Sequence, residues 1–175
     1  MDVLSYYEFE LSEVLNMKVL FLDIDGVLNC MGCKVKTPSG FKFVETVFLE
    51  RVKKIVDETE CVVVLSSTWR NGFYDLQRGI ENSVDARDYI LLKDKLSEYG
   101  VEIYSHTPEL REYHRGTEIL EWLYGTEEEV DAFVILDDDT EVYPLHDNLV
   151  RTYFDGGLQD EHVKMAIEML NRVFE

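Results

Sequence analysis

The stretch Lys18-Val19-Leu20-Phe21-Leu22-Asp23-Ile24-Asp25-Gly26-Val27-Leu28-Asn29 constrains the fold more than any other. Val19–Leu22 is apolar at every position, and Ile24 follows just beyond. A short unbroken apolar run bounded by turn signals fits a parallel strand covered on both faces. Asp23 and Asp25 close that strand. Spaced two apart, they would project to the same side of an extended backbone. Gly26 then permits a sharp turn or a close backbone approach. Two like charges at the end of a core strand repel unless a cation stands between them. Magnesium, held by carboxylates, water and a substrate phosphate, meets that need. Taken alone, Asp-x-Asp fits a solvated loop as well.

The rest of the chain repeats the pattern of an apolar run ending in polar residues. Cys61–Leu65 reads as a second strand, ending at Ser66-Ser67-Thr68 and followed by Trp69-Arg70-Asn71-Gly72. Val101–Tyr104 reads as a third, Ala132–Leu136 as a fourth, and Leu149–Tyr153 as a fifth. Helical spacing predicts helices over Glu45–Thr59, Tyr89–Tyr99 (Asp88 as cap, Gly100 as terminator), Arg115–Tyr124 and Glu161–Phe174. Phe73–Arg87 shows no period. Cys30–Val44 reads as a hairpin or flap turning at Pro38-Ser39-Gly40. Strands alternating with helices imply a parallel sheet of about five strands with helices on both faces. Ligands bind such sheets beyond the carboxyl ends of the strands. Asp23, Asp25, Ser66 and the pair Asp137–Asp138 all fall there. The run Asp137-Asp138-Asp139 is electrostatically costly without a cation. Arg115 opens a helix, where the dipole disfavours a cation, and this points to a phosphate role.

With these motifs in order, the chain resembles the haloacid dehalogenase (HAD) superfamily of phosphatases and phosphotransferases. The resemblance covers roughly residues 17–175. The nearest subgroup is the HAD domain associated with RNA-repair (Swiss Army Knife) proteins, on Ser66-Ser67-Thr68-Trp69-Arg70, Arg115-Gly116-Thr117-Glu118-Ile119 and Ile135-Leu136-Asp137-Asp138-Asp139. The resemblance implies a Rossmann-like HAD fold with a short flap and little or no cap. It also implies a magnesium-dependent phosphatase working through an aspartyl-phosphate. Asp23 is then the nucleophile and Asp25 the general acid and base. Ser66, with Ser67 as second choice, and Arg115 hold phosphoryl oxygens. Magnesium is held by Asp23, the backbone carbonyl of Asp25, and Asp138, with Asp137 as orienting partner or alternative ligand. Dehalogenating relatives lack an acid at the position of Asp25, which argues for phosphate chemistry. Arg70, and Lys34 and Lys36 of the flap, are candidate substrate contacts. The paired acids on the first strand do not fit a response-regulator receiver, whose phosphorylated Asp follows the third.

Length suits a single hydrolase domain over residues 17–175, with 1–16 as an N-terminal extension whose Leu4, Tyr7, Leu11 and Val14–Leu15 form one helical face. The net charge of −19, from 17 basic and 36 acidic residues, repels nucleic acid over any broad area but leaves room for a local phosphate pocket. No apolar run reaches the length of a membrane span, and no signal peptide opens the chain. Three cysteines, an odd number, suit a reducing cytoplasmic setting. Cys30-x-x-Cys33 is a lone pair, without a second pair at zinc spacing. The expected partner is a phosphorylated small molecule or nucleic-acid end. The alternative is a non-catalytic module of the same fold that turns its acidic surface to a basic partner.

Overall fold

The computed structural model describes residues 17–110 and 114–172. Five parallel strands form one sheet in the order β3-β2-β1-β4-β5, with β1 (Met17–Leu22) at its centre. Its neighbours are β2 (Val62–Leu65) and β4 (Val130–Asp137), and the edges are β3 (Ile103–His106) and β5 (Leu149–Arg151). The apolar run of β1 divides by period two. Leu20 and Leu22 join the larger core, while Val19 and Phe21 join the smaller one on the opposite face. Both faces are thus buried, as the run requires.

The larger core is covered by three helices: α1 (Thr46–Thr59), α3 (Val84–Glu98) and α5 (Asp160–Leu170). On α1, Phe48, Leu49, Val52 and Ile55 are buried at helical spacing. The smaller core is covered by α4 (Arg115–Gly125) through Ile119 and Trp122, with Val142 beside them. Trp122 meets Phe21 edge to face at 5.4 Å between ring centres. The fold is therefore α/β and Rossmann-like, with helices on both faces and a five-stranded parallel sheet, as expected.

Several boundaries differ from the expected ones. The third strand runs two residues later than Val101–Tyr104. The helix expected from Tyr89 begins at Val84, capped by Ser83, whose Oγ accepts from the Ala86 N–H. Asp88 is not a cap: it lies inside α3, buried, and accepts hydrogen bonds from Thr37 Oγ1 (3.2 Å) and Ser39 Oγ (3.1 Å). These bonds tie the tip of the flap to α3. The unreadable stretch from Phe73 holds a short helix, α2 (Asn71–Gln77), packed on α3. The flap is a minimal hairpin, bridged at Lys36 and Lys42. The helical face expected in residues 1–16 and the end of the helix expected to reach Phe174 lie outside the described residues.

Candidate active site

The same period-two register builds the site. Phe21, Val64 and Ile135 are aligned on adjacent strands and face α4. The next residue of each strand faces the other core. The one after that returns to the α4 side, and it is Asp23, Ser66 or Asp137. The ladder continues this far: Asp23 N–H donates to Leu136 O, and Ser66 N–H to Leu22 O. Beyond Leu22 the chain leaves the strand and turns over residues 25–28, so Asp23 and Asp25 are not paired on an extended backbone as expected. Gly26 adopts φ +76°, and a Cβ there would overlap the Asp138 carboxylate. The missing side chain lets Asp138 lie against the turn.

Carboxylate oxygens of Asp23, Asp137 and Asp138 lie within 4.8 Å of one another, and this is the one metal-competent cluster among the described residues. Arg115 enters from the first turn of α4. Its Nη1 lies 3.1 Å from Asp23 Oδ1, to which it donates, and 3.0 Å from Asp137 Oδ2. Gly116 makes that approach feasible, because a Cβ would meet the carbonyls of Val142 and Tyr143. Burial opposes the charge on Arg115, but Asp23 and Asp137 more than offset it, so its pKa is raised. Burial, then the neighbouring Asp23, pushes the Asp137 carboxyl up to about 7 against the pull of Arg115. Asp138 is raised for the same first two reasons. Three acids faced by one guanidinium, offering oxygen donors only, fit a hard divalent cation. The buried Asp137 Oδ2 takes no aligned hydrogen bond, which leaves it available to such an ion.

Asp25 is exposed and held from two sides: Asn29 Nδ2 donates to Oδ1 at 2.8 Å and Trp69 Nε1 to Oδ2 at 3.0 Å. Asn29 also accepts from the Gly26 N–H, which locks the turn. Neither Asn29 nor Trp69 carries an expected role. The Asn29 contact is local and was open to sequence reasoning as an Asx-type turn, whereas Trp69 comes from a distant segment. Ser66 and Ser67 are buried, and the Oγ of each lacks a hydrogen-bond partner. Two unpartnered hydroxyls at a strand end are costly unless a water or a ligand completes them.

Arg70, expected among the substrate contacts, lies largely within the fold and lines a small cavity with Thr68, Arg115 and Glu118. Only 3% exposed, it pairs with the equally buried Glu118 at 2.5 Å and donates to the carbonyls of Ser66 (2.9 Å) and Ser67 (3.0 Å). It braces the serine loop from within. Lys34 and Lys36 are exposed on the flap and do not line the cavity of about 560 Å³ that opens beside Asp25; the lysine that lines it is Lys42, opposite Lys36 in the hairpin. Cys30 and Cys33 are free thiols 2.9 Å apart, and burial with the Cys30 hydrogen bond pushes Cys33 up to about 12. His106 is stacked on Phe73 and bonded to Tyr89. No described helix is long and apolar enough to cross a membrane.

A family model described as the HAD domain in Swiss Army Knife RNA repair proteins matches residues 19–163. No curated protein matches the chain.

Proposed function

The chain belongs to the family of HAD domains found in Swiss Army Knife RNA repair proteins, which points to phosphatase-type chemistry, and on that premise we propose a magnesium-dependent phosphomonoester hydrolase acting on nucleotide or polynucleotide-end phosphates. Asp23 is the nucleophile. One of its carboxylate oxygens bonds to phosphorus as the bond from phosphorus to the leaving oxygen breaks, giving an aspartyl-phosphate. Asp25 gives its proton to that leaving oxygen. It then takes a proton from the water whose oxygen displaces Asp23 from phosphorus, which releases phosphate and restores both carboxyls. Asn29 and Trp69 hold Asp25 in one orientation for both steps. Arg115 and the hydroxyls of Ser66 and Ser67 meet the non-bridging oxygens, where transition-state charge gathers. Arg70 and Glu118 keep the serine loop in place behind them.

Magnesium, when bound by Asp23 and Asp138 with Asp137 and the Asp25 carbonyl in support, offsets the repulsion between nucleophile and phosphate. The observation that carries this reading is the cluster of Asp23, Asp137 and Asp138 around a single guanidinium at the carboxyl end of the sheet. The test is hydrolysis of nitrophenyl phosphate. Magnesium should support it, EDTA should remove it, and Asp23→Asn should lower it more than a hundredfold while circular dichroism shows the fold retained. Turnover by Asp23→Asn close to that of the wild type would end the nucleophile assignment.

A further inference from the structure

The cavity beside Asp25 combines acidic side chains with aromatic rings. Its volume, about 560 Å³, lies within the roughly 300–1,000 Å³ of small-ligand sites. Three aromatic rings line it, each from a different segment: Phe41 from the flap, Trp69 from the turn after β2, and Phe154 from the loop after β5. Phe41 is 57% exposed and Phe154 36% exposed, so neither is explained by the core. Clustered exposed apolar rings mark a binding groove rather than ordinary surface. The Nζ of Lys42 lies 6.0 Å from the centre of the Phe154 ring. Asn71 and Asp85 line the same cavity, and neither side chain has a hydrogen-bond or ion-pair partner among the described residues.

We propose that this cavity is a nucleoside subsite, in which a base stacks on Phe41, Trp69 and Phe154 and turns its N–H edge to Asp85. The proposal rests on the phosphatase reading only for orientation. With the phosphate at Asp23 and the leaving oxygen at Asp25, the leaving group enters the cavity that Asp25 borders. Three aromatic faces suit a flat π system, because stacking on such rings is tolerant of base identity. A carboxylate acceptor suits the amino and imino donors of a base edge. Asp25, Asp85 and Asp88 outnumber Lys42 around the cavity, which disfavours a second phosphate there. With the overall charge of −19, recognition ends at one nucleoside, either a free nucleotide or the last residue of a strand. A phosphotyrosine would bring a ring to Asp25 as well, but it carries no edge for Asp85.

Binding is best read on Asp23→Asn, which needs no turnover. The chain has two tryptophans, and Trp122 is buried with its Nε1–H on Ser105. Quenching by a stacked base therefore reports Trp69. Guanosine 3′- and 5′-monophosphate should quench this fluorescence and bind at least about tenfold tighter than ribose 5-phosphate. Phe41→Ala and Phe154→Ala should each weaken nucleotide binding about five- to a hundredfold and leave ribose 5-phosphate unchanged. Asp85→Asn should change the order of preference among the four nucleotides. A 3′- or 5′-phosphorylated oligonucleotide that binds as well as the mononucleotide identifies a strand end as the source, and one that binds much more weakly identifies the free nucleotide. Equal binding of nucleotide and ribose 5-phosphate, or tighter binding of a phosphotyrosine peptide, overturns the subsite. Wild-type protein that hydrolyses no phosphomonoester yet shows the nucleotide preference would sink the phosphatase reading and leave the subsite standing.

Discussion

Two arginines meet the first turn of α4, and their surroundings differ in kind. Arg70 is paired with Glu118, one carboxylate to one guanidinium, and also donates to the carbonyls of Ser66, Ser67 and Pro108. Three residues before Glu118, Arg115 faces Asp23 and Asp137, with Asp138 close behind. The first cluster is balanced in charge, although the Arg70 Nε lacks a hydrogen-bond partner. The second holds surplus negative charge, three carboxylates to one guanidinium, beside the unpartnered hydroxyls of Ser66 and Ser67. A buried charge with its complement in place serves the fold, because an uncompensated one would cost several kcal/mol. A cluster left unbalanced beside a cavity is costly until something binds. The contrast separates an arginine that supports the serine loop from one that stands among surplus acids.

The contrast would break if removing an acid beside the open site had the same consequence as removing Glu118. Asp25→Ala should leave stability nearly intact and remove activity selectively. A general acid contributes on the order of a hundredfold to ten-thousandfold, about 3–5 kcal/mol in the barrier. An alkyl or nucleoside phosphate, whose leaving oxygen needs a proton, should lose the full amount in the first step. Nitrophenolate leaves unaided, so nitrophenyl phosphate should lose much less and show a burst followed by slow turnover. Equal losses with both substrates in rapid-quench kinetics would mean that Asp25 only positions.

Glu118→Ala should do the opposite. It strands the Arg70 charge in the interior, at a cost of about 3–5 kcal/mol of stability, measurable by urea denaturation. Replacing both partners with apolar residues should recover only part of this loss, since the carbonyls of Ser66 and Ser67 then lose their donors. A Glu118→Ala protein as stable as the wild type would mean that the pair is far better solvated than its 3% exposure implies.

Binding sharpens the same distinction. An ion taken up by the unbalanced cluster stabilises the folded chain by RT ln(1 + [L]/Kd), about 2.7 kcal/mol at a hundredfold excess over Kd. Magnesium should therefore raise the melting temperature of the wild type, and of Glu118→Ala by the same free energy, but not that of Asp138→Asn. Calcium should substitute poorly, because it prefers more ligands at longer distances. An equal shift in Asp138→Asn would place the ion elsewhere.

How much of this was legible in the sequence depends on the range of the interaction. The central strand announced itself because burial on both faces demands an unbroken apolar run, and its register with β2 and β4 then carried Asp23, Ser66 and Asp137 to one side of the sheet. Arg115 was legible because a cation at a helix start contradicts the dipole. The edge strand β3, with no fully buried residue, gave a weaker pattern and shifted by two. The start of α3 was hidden because Ala86, Tyr89, Leu92 and Leu96 are its only buried apolar residues. The pairing of Arg70 with Glu118 was hidden because the two lie 48 positions apart, and Asp88 was misread because its flap partner Thr37 is 51 residues distant. Trp69 reaches Asp25 across 44 residues, and no local pattern encodes that bond.

The smallest expected effect tests how completely Glu118 cancels Arg70. His106, at the end of β3, is stacked on Phe73 at 3.9 Å between ring centres, and its Nε2 meets the Tyr89 hydroxyl at 2.8 Å. Burial first, then the fields of Arg70 and Lys93, lowers its pKa to about 4. The sign of the consequence follows from proton counting. Above pH 6.5 the ring is neutral in both folded and unfolded chains and adds no pH dependence. Between about 6.5 and 4 the unfolded chain binds a proton that the folded chain refuses, so stability falls as the pH falls. Solvent screening at a partly exposed ring trims the loss to about 1–2 kcal/mol. Urea denaturation at pH 7, 5.5 and 4.5 should show this decline, and His106→Gln should flatten its part of it. In Arg70→Met/Glu118→Leu the His106 contribution should shrink by the share that Arg70 supplies. A decline unchanged in that double variant would leave burial alone in control of His106 and would mean that the Arg70–Glu118 cluster is electrically closed even to its nearest neighbours.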